Sequence, residues 1–418
     1  MDSITNTDPG KLTRANAGRH WWAGIALFAL LALTATAQAA PRLPAADSEV
    51  LERLPQRAGD REARELSVLR AAAAAAAPAD SAAAASLAQT YFDLAAARGD
   101  PRFVGYAEAV VARFKAPLPA ELLLIRGQLH QYRHGFEPAL DDFAAALAQE
   151  PGLAQAHAWR AAIFLVQARV DAAQGECAAL ERLGRGVLYG GCIGLAQAYG
   201  GQLAAAEASL LRALGASTEA DQRLWLLTRL GEVAAWRAQP ALAERHYREA
   251  LSLDRDDGYL LAAWTDFLLD AGRPAEVVRQ LAKWESSDPL LLRLAEAKAA
   301  LGEPAAARHI QVLEDRFAAS RLRGDTTHRA EEARFALRLR GKPDAALRLA
   351  SDNYRVQREP RDARILLEAA VAAGDSQAAT PARDWLRASG FEDPRLRQLA
   401  QASQQVAARP GGPASEWP

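Results

Sequence analysis

The chain has 418 residues but only two cysteines, one methionine and a formal net charge of −1. Each scarcity excludes a class of function. A near-neutral balance excludes a globally basic nucleic-acid binder. Cys177 and Cys192 lack the CxxC spacing of redox catalysis. There is no Gly-rich phosphate loop, since Gly190-Gly191 falls inside a helical pattern, and there is no GxSxG elbow. No pair of carboxylates stands out from the many surface Asp and Glu. Of the histidines only His130 and His134 are spaced i, i+4, and Gln131, Tyr132 and Arg133 between them supply no glutamate. Neither a metal site nor a cofactor is expected. Alternating β-type segments are also missing. The composition argues against catalysis.

What is present begins with a single apolar run. Lys11, Arg14 and Arg19 precede Trp21–Leu33, and the small-residue stretch Thr34–Ala40 contains Ala37-Gln38-Ala39. Positive charge, a short apolar core and small residues make a secretory signal. The run is thirteen residues long, whereas a membrane-spanning helix needs about 20. Cleavage near Ala39 and a periplasmic location are therefore expected, the alternative being an uncleaved inner-membrane anchor. No cysteine lies near that site, which excludes a lipid anchor there, and no second hydrophobic segment follows. The expected organisation is a signal peptide over 1–39, N-terminal capping helices over 40–84, a repeat solenoid over 85–400 and a disordered tail over 401–418. The capping segment holds the alanine run Ala71–Ala77, and the tail holds Pro410, Gly411, Gly412 and Pro413.

The body of the chain repeats. From Gly127, small or large apolar residues follow at fixed offsets, Ala139, Phe143 and Ala146, and then Pro151. The ladder restarts at Ala161 (Ala173, Cys177, Leu180), Gly194 (Ala206, Leu210, Ala213) and Gly231 (Ala243, Tyr247, Ala250). Weaker copies begin at Thr265 (Val277, Leu281, Pro289), Ala295 (Ala307), Arg334 (Ala346, Ala350) and Leu367 (Ala379, Leu386). Small residues let two antiparallel helices approach, a large one fills the gap, and proline ends the second helix. Gly135, Gly201, Gly272, Gly302, Gly341 and Gly374 fall between the two helices of a repeat, where glycine accepts a left-handed C-cap. Another pair is expected upstream, at Leu87–Arg98 and Pro101–Phe114. The pattern resembles tetratricopeptide repeats, which implies an all-α solenoid of about nine helix pairs with a long groove.

In such a solenoid the first helix of each pair lines the concave face. The register then places Trp225, Thr228, Glu232, Trp236, Tyr259, Asp266, Glu296, His328, Glu331, Phe335, Arg361, Arg364 and Glu368 in the groove. Aromatic anchors beside charges suit a protein or peptide partner. Charge also changes along the chain. Arg308–Arg364 holds fourteen Lys/Arg against nine Asp/Glu, while Glu219–Glu303 holds fifteen acids against eleven bases. The segment Arg316–His328 departs from the repeat, and a local ion-pair cluster of Arg323, Asp325, Glu331, Glu332 and Arg358 is expected there. Cys177 in one repeat and Cys192 in the next lie on helices that pack side by side. Either they form a disulfide or Cys177 simply fills the large-apolar slot.

The stretches Leu122–Phe143, Tyr259–Val277 and His328–Asp375 further resemble a family of exported bacterial repeat proteins. That resemblance implies the solenoid, export and the two cysteines, and it carries no activity. The functional expectation is an exported, non-catalytic scaffold whose groove binds a segment of an envelope protein and serves assembly or maturation of an envelope complex. The alternative is a repeat module of a polysaccharide-export or glycosyltransferase system.

Overall fold

The computed structural model describes residues 46, 61–75 and 81–406. The expected signal segment, the end of the alanine run at 76–77 and the stretch after 406 lie outside the described residues. Among the described residues there are twenty helices and no strand. Helix α1 (Arg61–Ala75) carries most of the alanine run. Five helix pairs come next: α2 and α3 (Ala82–Arg98, Arg102–Val111), α4 and α5 (Ala120–Tyr132, Phe136–Gln149), α6 and α7 (Ala154–Val166, Val170–Arg182), α8 and α9 (Gly186–Tyr199, Leu203–Ala216), α10 and α11 (Ala220–Trp236, Pro240–Leu251). Four more follow: α12 and α13 (Gly258–Asp270, Pro274–Leu281), α14 and α15 (Asp288–Ala300, Ala305–Leu322), α16 and α17 (Arg329–Arg338, Pro343–Tyr354), α18 and α19 (Pro360–Ala373, Thr380–Ser389). A last helix, α20 (Pro394–Val406), seals the end and runs past residue 400, with Ser403 fully buried.

The repeat ladder is visible as contacts. A Cβ added to Gly127 would stand 2.5 Å from the Phe143 ring, one on Gly194 2.7 Å from Leu210, and one on Gly231 2.6 Å from the Tyr247 ring. Ala139, Ala146, Ala173, Ala206, Ala243 and Ala250 are all completely buried. Small residues thus bring the two helix axes together, and each large partner contributes roughly 1.5–3 kcal/mol by its burial. One rung differs. Ala307 is exposed, and Ala306, His309, Leu313 and Phe317 form the buried stripe of α15 instead. Phe317 sets that rotation by packing on Phe335, with ring centroids 5.4 Å apart.

The turns within pairs follow one geometry with two kinds of residue. Gly201, Gly272, Gly302, Gly341 and Gly374 are left-handed, with φ between 59° and 83°. Gly135 is not, for its φ is −80° and His134 before it takes the left-handed place at 59°. Ala168 and Ala238 occupy the same place in α6–α7 and α10–α11, at φ 60° and 55°.

The solenoid then closes on itself. First helices of the early pairs point their C-terminal ends at the N-terminal ends of first helices in the later pairs. Gly258, opening α12, lies against α2, where an added Cβ would be 3.2 Å from the Ala96 carbonyl. Gly99 after α2 leaves no room for a side chain, since a Cβ would stand 2.3 Å from Oγ of Ser287. The Arg358 amide donates to the Val166 carbonyl at the end of α6, at 2.7 Å. The Tyr199 hydroxyl at the end of α8 donates to Glu359, at 2.9 Å. Trp236 at the end of α10 meets Phe391 edge-on, with centroids 5.3 Å apart. Carbonyl ends facing amide ends is the favourable sense of the helix dipoles. One apolar core joins Phe143, Ile163 and Leu230 of the first turn with Ala363, Leu366 and Phe391 of the second.

Cys177 on α7 and Cys192 on α8 are bonded, with Cα atoms 5.5 Å apart. On a chain-entropy account, a link across a separation of 15 residues stabilises by about 3 kcal/mol.

Candidate binding cleft on the inner face

First helices line the inner face, and a cleft of about 540 Å³ opens between α10–α12 and α18–α20. Its walls are amphipathic. Trp236 on α10 with Tyr259 and Phe267 on α12 form an aromatic side, and Arg361, Arg364 and Arg395 on α18 and α20 form a cationic one. Ala262 and Ala263 keep the floor low between them. A recess of about 70 Å³ adjoins it, lined by Glu331, Arg334, Arg338 and Glu368 among others.

Two ion networks hold the walls. In the first, Arg229 donates to Glu232 at 2.8 Å and to the Tyr259 hydroxyl, and its guanidinium sits 4.1 Å from the Tyr259 ring centre. The same hydroxyl donates to Glu232 at 2.7 Å. Burial drives the Tyr259 phenol above its ordinary value, so it stays protonated as a donor. The second network crosses helices far apart in sequence. Asp266 accepts from Arg293 at 2.6 Å and from Arg334 at 2.7 Å. Arg334 also grips both oxygens of Glu296, each at 2.7 Å. Arg338 bonds Glu368 at 2.7 Å, Arg364 bonds Glu368 at 2.8 Å, and Arg364 reaches Asp270 at 2.7 and 2.8 Å. Arg395 contacts Asp270 as well. Four helices, α12, α14, α16 and α18, are thereby tied through buried charge, and α20 joins through Arg395.

Burial alone would raise these carboxyls, but the arginines outweigh it. Arg364 and Arg338 bring Glu368 down to about 2, and Arg293 and Arg334 hold Asp266 well below the carboxylate range. Asp362 behaves oppositely. It is 1 % exposed and faces Glu359 in a reciprocal cap at the start of α18, and burial plus that neighbour push it up to about 7. Asn353 supports it with a bond of 2.9 Å.

The positions expected in the groove divide into three groups. Glu232, Trp236, Tyr259, Asp266, Arg361 and Arg364 line the cleft, and Glu331 lines the recess with Glu368. Burial tends to raise Glu331, but His328, Arg361 and Arg293 bring it below its ordinary value. Thr228 and Glu296 are instead buried. The Thr228 hydroxyl bonds its own helix at Leu224, and Glu296 is the inner partner of Arg334. Phe335 packs in the core. Trp225 lies over Gly191, where an added Cβ would be 2.1 Å from the indole, so it packs between α8 and α10. His328 stands at the N-cap position of α16, with no cap bond from its side chain.

The expected ion cluster around Arg323 does not form. Arg323 turns to Ser320, Asp325 bonds Thr327, Glu332 pairs with Arg321, and the Arg358 side chain bonds the Tyr354 carbonyl. Asp325 is engaged by its own turn, which removes the anion the cluster needed. Arg229, Arg293, Arg334, Asp270 and Arg395, the groups that fix the cleft walls, were not among the positions expected in the groove. Arg334 carried a signal, since it stands at the small-residue step of its repeat where no arginine fits a core.

His157 bonds Glu176 at 2.6 Å, and His130 stands 3.2 Å from Asp142 without a hydrogen bond. No group of three metal-ligating side chains occurs among the described residues.

The helix pairs, their ladder and their packing define an all-α solenoid of the tetratricopeptide type. No known family profile matches the chain, and no curated protein does. Among solved structures it is similar to the crystal structure of the APC/C hetero-tetramer Cut9–Hcn1, with a TM-score of 0.47 and 12% identity over 81% of this chain. This chain spans 66% of that one. It is also similar to the crystal structure of the P58(IPK) TPR domain, with a TM-score of 0.23 and 15% identity over 77% of this chain and 98% of that one.

Proposed function

We propose that the protein is an exported, non-catalytic scaffold that takes a segment of a partner protein into the inner cleft, in the service of assembling or maturing a cell-envelope complex. The observation that carries this is the cleft of about 540 Å³, walled by Trp236, Tyr259 and Phe267 on one side and by arginines on the other. Recognition sites share that volume range and that mixture of apolar surface with a few placed polar groups. The ion networks around it suit a binding surface, because they hold its walls rigid before a partner arrives and so reduce the ordering that binding requires. Export agrees with the signal-like segment before Ala40 and with the bonded pair Cys177–Cys192. No helix among the described residues is long and apolar enough to cross a membrane.

The test is capture of partners from native envelope extract, with Ala263→Trp as the comparison. Ala263 lines the cleft floor, so an indole there fills open space without displacing core. Partners that disappear with Ala263→Trp, at unchanged helicity and melting temperature, support the cleft. Partners indifferent to the plug move binding to the convex face and overturn the reading.

A further inference from the structure

Hydrogen-bonding capacity in the cleft is unevenly used. Three of the four acids on its walls are held by arginine donors. Glu232 accepts from Arg229 at 2.8 Å and Tyr259 at 2.7 Å. Asp266 accepts from Arg293 and Arg334, and Asp270 accepts Arg364 on both oxygens besides Arg395. Asp393 caps α20 by accepting the amides of Arg395 and Leu396, at 2.7 and 3.3 Å. The remaining carboxylate nearby, Glu331, belongs to the recess of about 70 Å³, which has room for roughly two waters.

The cations are different. Arg361 directs Nε and Nη2 at a single oxygen of Glu359, at 3.1 and 2.6 Å, and 56% of its side chain stays exposed. A guanidinium carries five N–H groups in a fixed fork, so the Nη1 side of Arg361 has donors to offer. Arg395 touches only Asp270 through its guanidinium and is 47% exposed. Both line the cleft with Trp236, Tyr259 and Phe267, and the Arg361 guanidinium lies 5.8 Å from the Tyr259 ring centre.

Resting on the proposed scaffold role, we infer that the cleft takes an acidic peptide segment, placing an Asp or Glu carboxylate on Arg361 and Arg395 and an adjacent apolar side chain against the aromatic wall. A basic segment would meet acids whose charge is already offset by arginines, Asp393 excepted, and arginines that repel it. The Trp236–Phe391 contact also ties α10 to the α19–α20 turn beside the cleft.

The test is a phage-displayed library of short random peptides panned against the mature protein, followed by fluorescence polarisation of the enriched peptides. Enrichment of Asp or Glu next to Leu, Phe or Trp is expected, with binding weakened about tenfold by Arg361→Gln, as for one lost charge-assisted bond, and weakened by added salt. Arg361→Gln also loosens Glu359, so Arg395→Gln, whose guanidinium lies outside that pair, repeats the test. Peptides without acidic bias, or with basic bias, that are lost in Ala263→Trp would overturn the charge assignment and leave the cleft reading standing. Binding of an acidic oligosaccharide with no peptide enriched would overturn both.

Discussion

Gly231→Ala should destabilise the protein, while Gly175→Ala, a chemically identical change in another helix, should stabilise it. Both glycines lie within helices, α10 and α7. Replacing a mid-helix glycine by alanine gains about 0.5–1 kcal/mol from the unfolded chain and the helix backbone. At Gly175 nothing lies within 4 Å of the added methyl, so that gain is the whole effect. At Gly231 the methyl meets the Tyr247 ring at 2.6, 2.8 and 2.8 Å. Ordinary carbon contacts are about 3.5–4.0 Å, so the helices must part by roughly 1 Å. Tyr247 has nowhere to go, being 2% exposed with Trp264 and Phe267 rings each 5.8 Å away. Overpacking of this kind costs about 1–3 kcal/mol, which leaves a net loss centred on about 1 kcal/mol and reaching about 2.5 kcal/mol. Urea midpoints at unchanged m-value read both variants. Combining Gly231→Ala with Tyr247→Leu should recover part of the loss through a coupling term. A Gly231→Ala protein as stable as the parent would refute the ladder as the source of pair geometry.

Arg334→Met should cost about 3–5 kcal/mol, because it strips Glu296 of its bidentate partner and leaves Asp266 with one arginine instead of two; a loss below about 1 kcal/mol in the same urea assay would show the network to be dispensable. Ala168→Gly should gain about 1 kcal/mol by relieving a left-handed alanine at φ 60°, and a melting temperature that fails to rise would contradict the turn geometry. Glu368 sits at about 2 against an ordinary 4.5, so its contribution is complete above that ordinary value and disappears as pH falls through the folded one. Unfolding free energies from urea titration should accordingly decline between about pH 5 and pH 2, by about 3 kcal/mol from this group alone, and Glu368→Gln should flatten the decline. Asp362, raised to about 7, works in the other direction, favouring the fold most below about pH 4 and progressively less up to pH 7.

The pair architecture was legible because it is written in local spacing. A glycine and an aromatic sixteen residues apart, as at Gly127 and Phe143, specify one contact between two neighbouring helices, and nothing distant enters. Groove-facing positions such as Glu232, Tyr259, Asp266, Arg361 and Arg364 followed from the same register. Thr228 and Glu296 did not, since a helix face has no sharp edge and a residue at its margin is turned in or out by packing. Trp225 was drawn inwards by the slot that Gly191 leaves, and the Gly190-Gly191 doublet was the visible clue. The closure was illegible. It depends on a small rotation per pair added over several pairs, and neither Val166 nor Arg358 carries any mark of the other.

That closure fixes an integer. An open solenoid can gain or lose a repeat anywhere and remain the same kind of object. Here Tyr199 must arrive opposite Glu359, Val166 opposite Arg358 and Trp236 opposite Phe391. Duplicating or deleting one pair between those partners would put every later helix out of phase by one step. Carboxylates and arginines would then be left facing apolar neighbours across the seam. Descendants of this gene can vary freely in their outer loops, but between α8 and α18 they must keep the count.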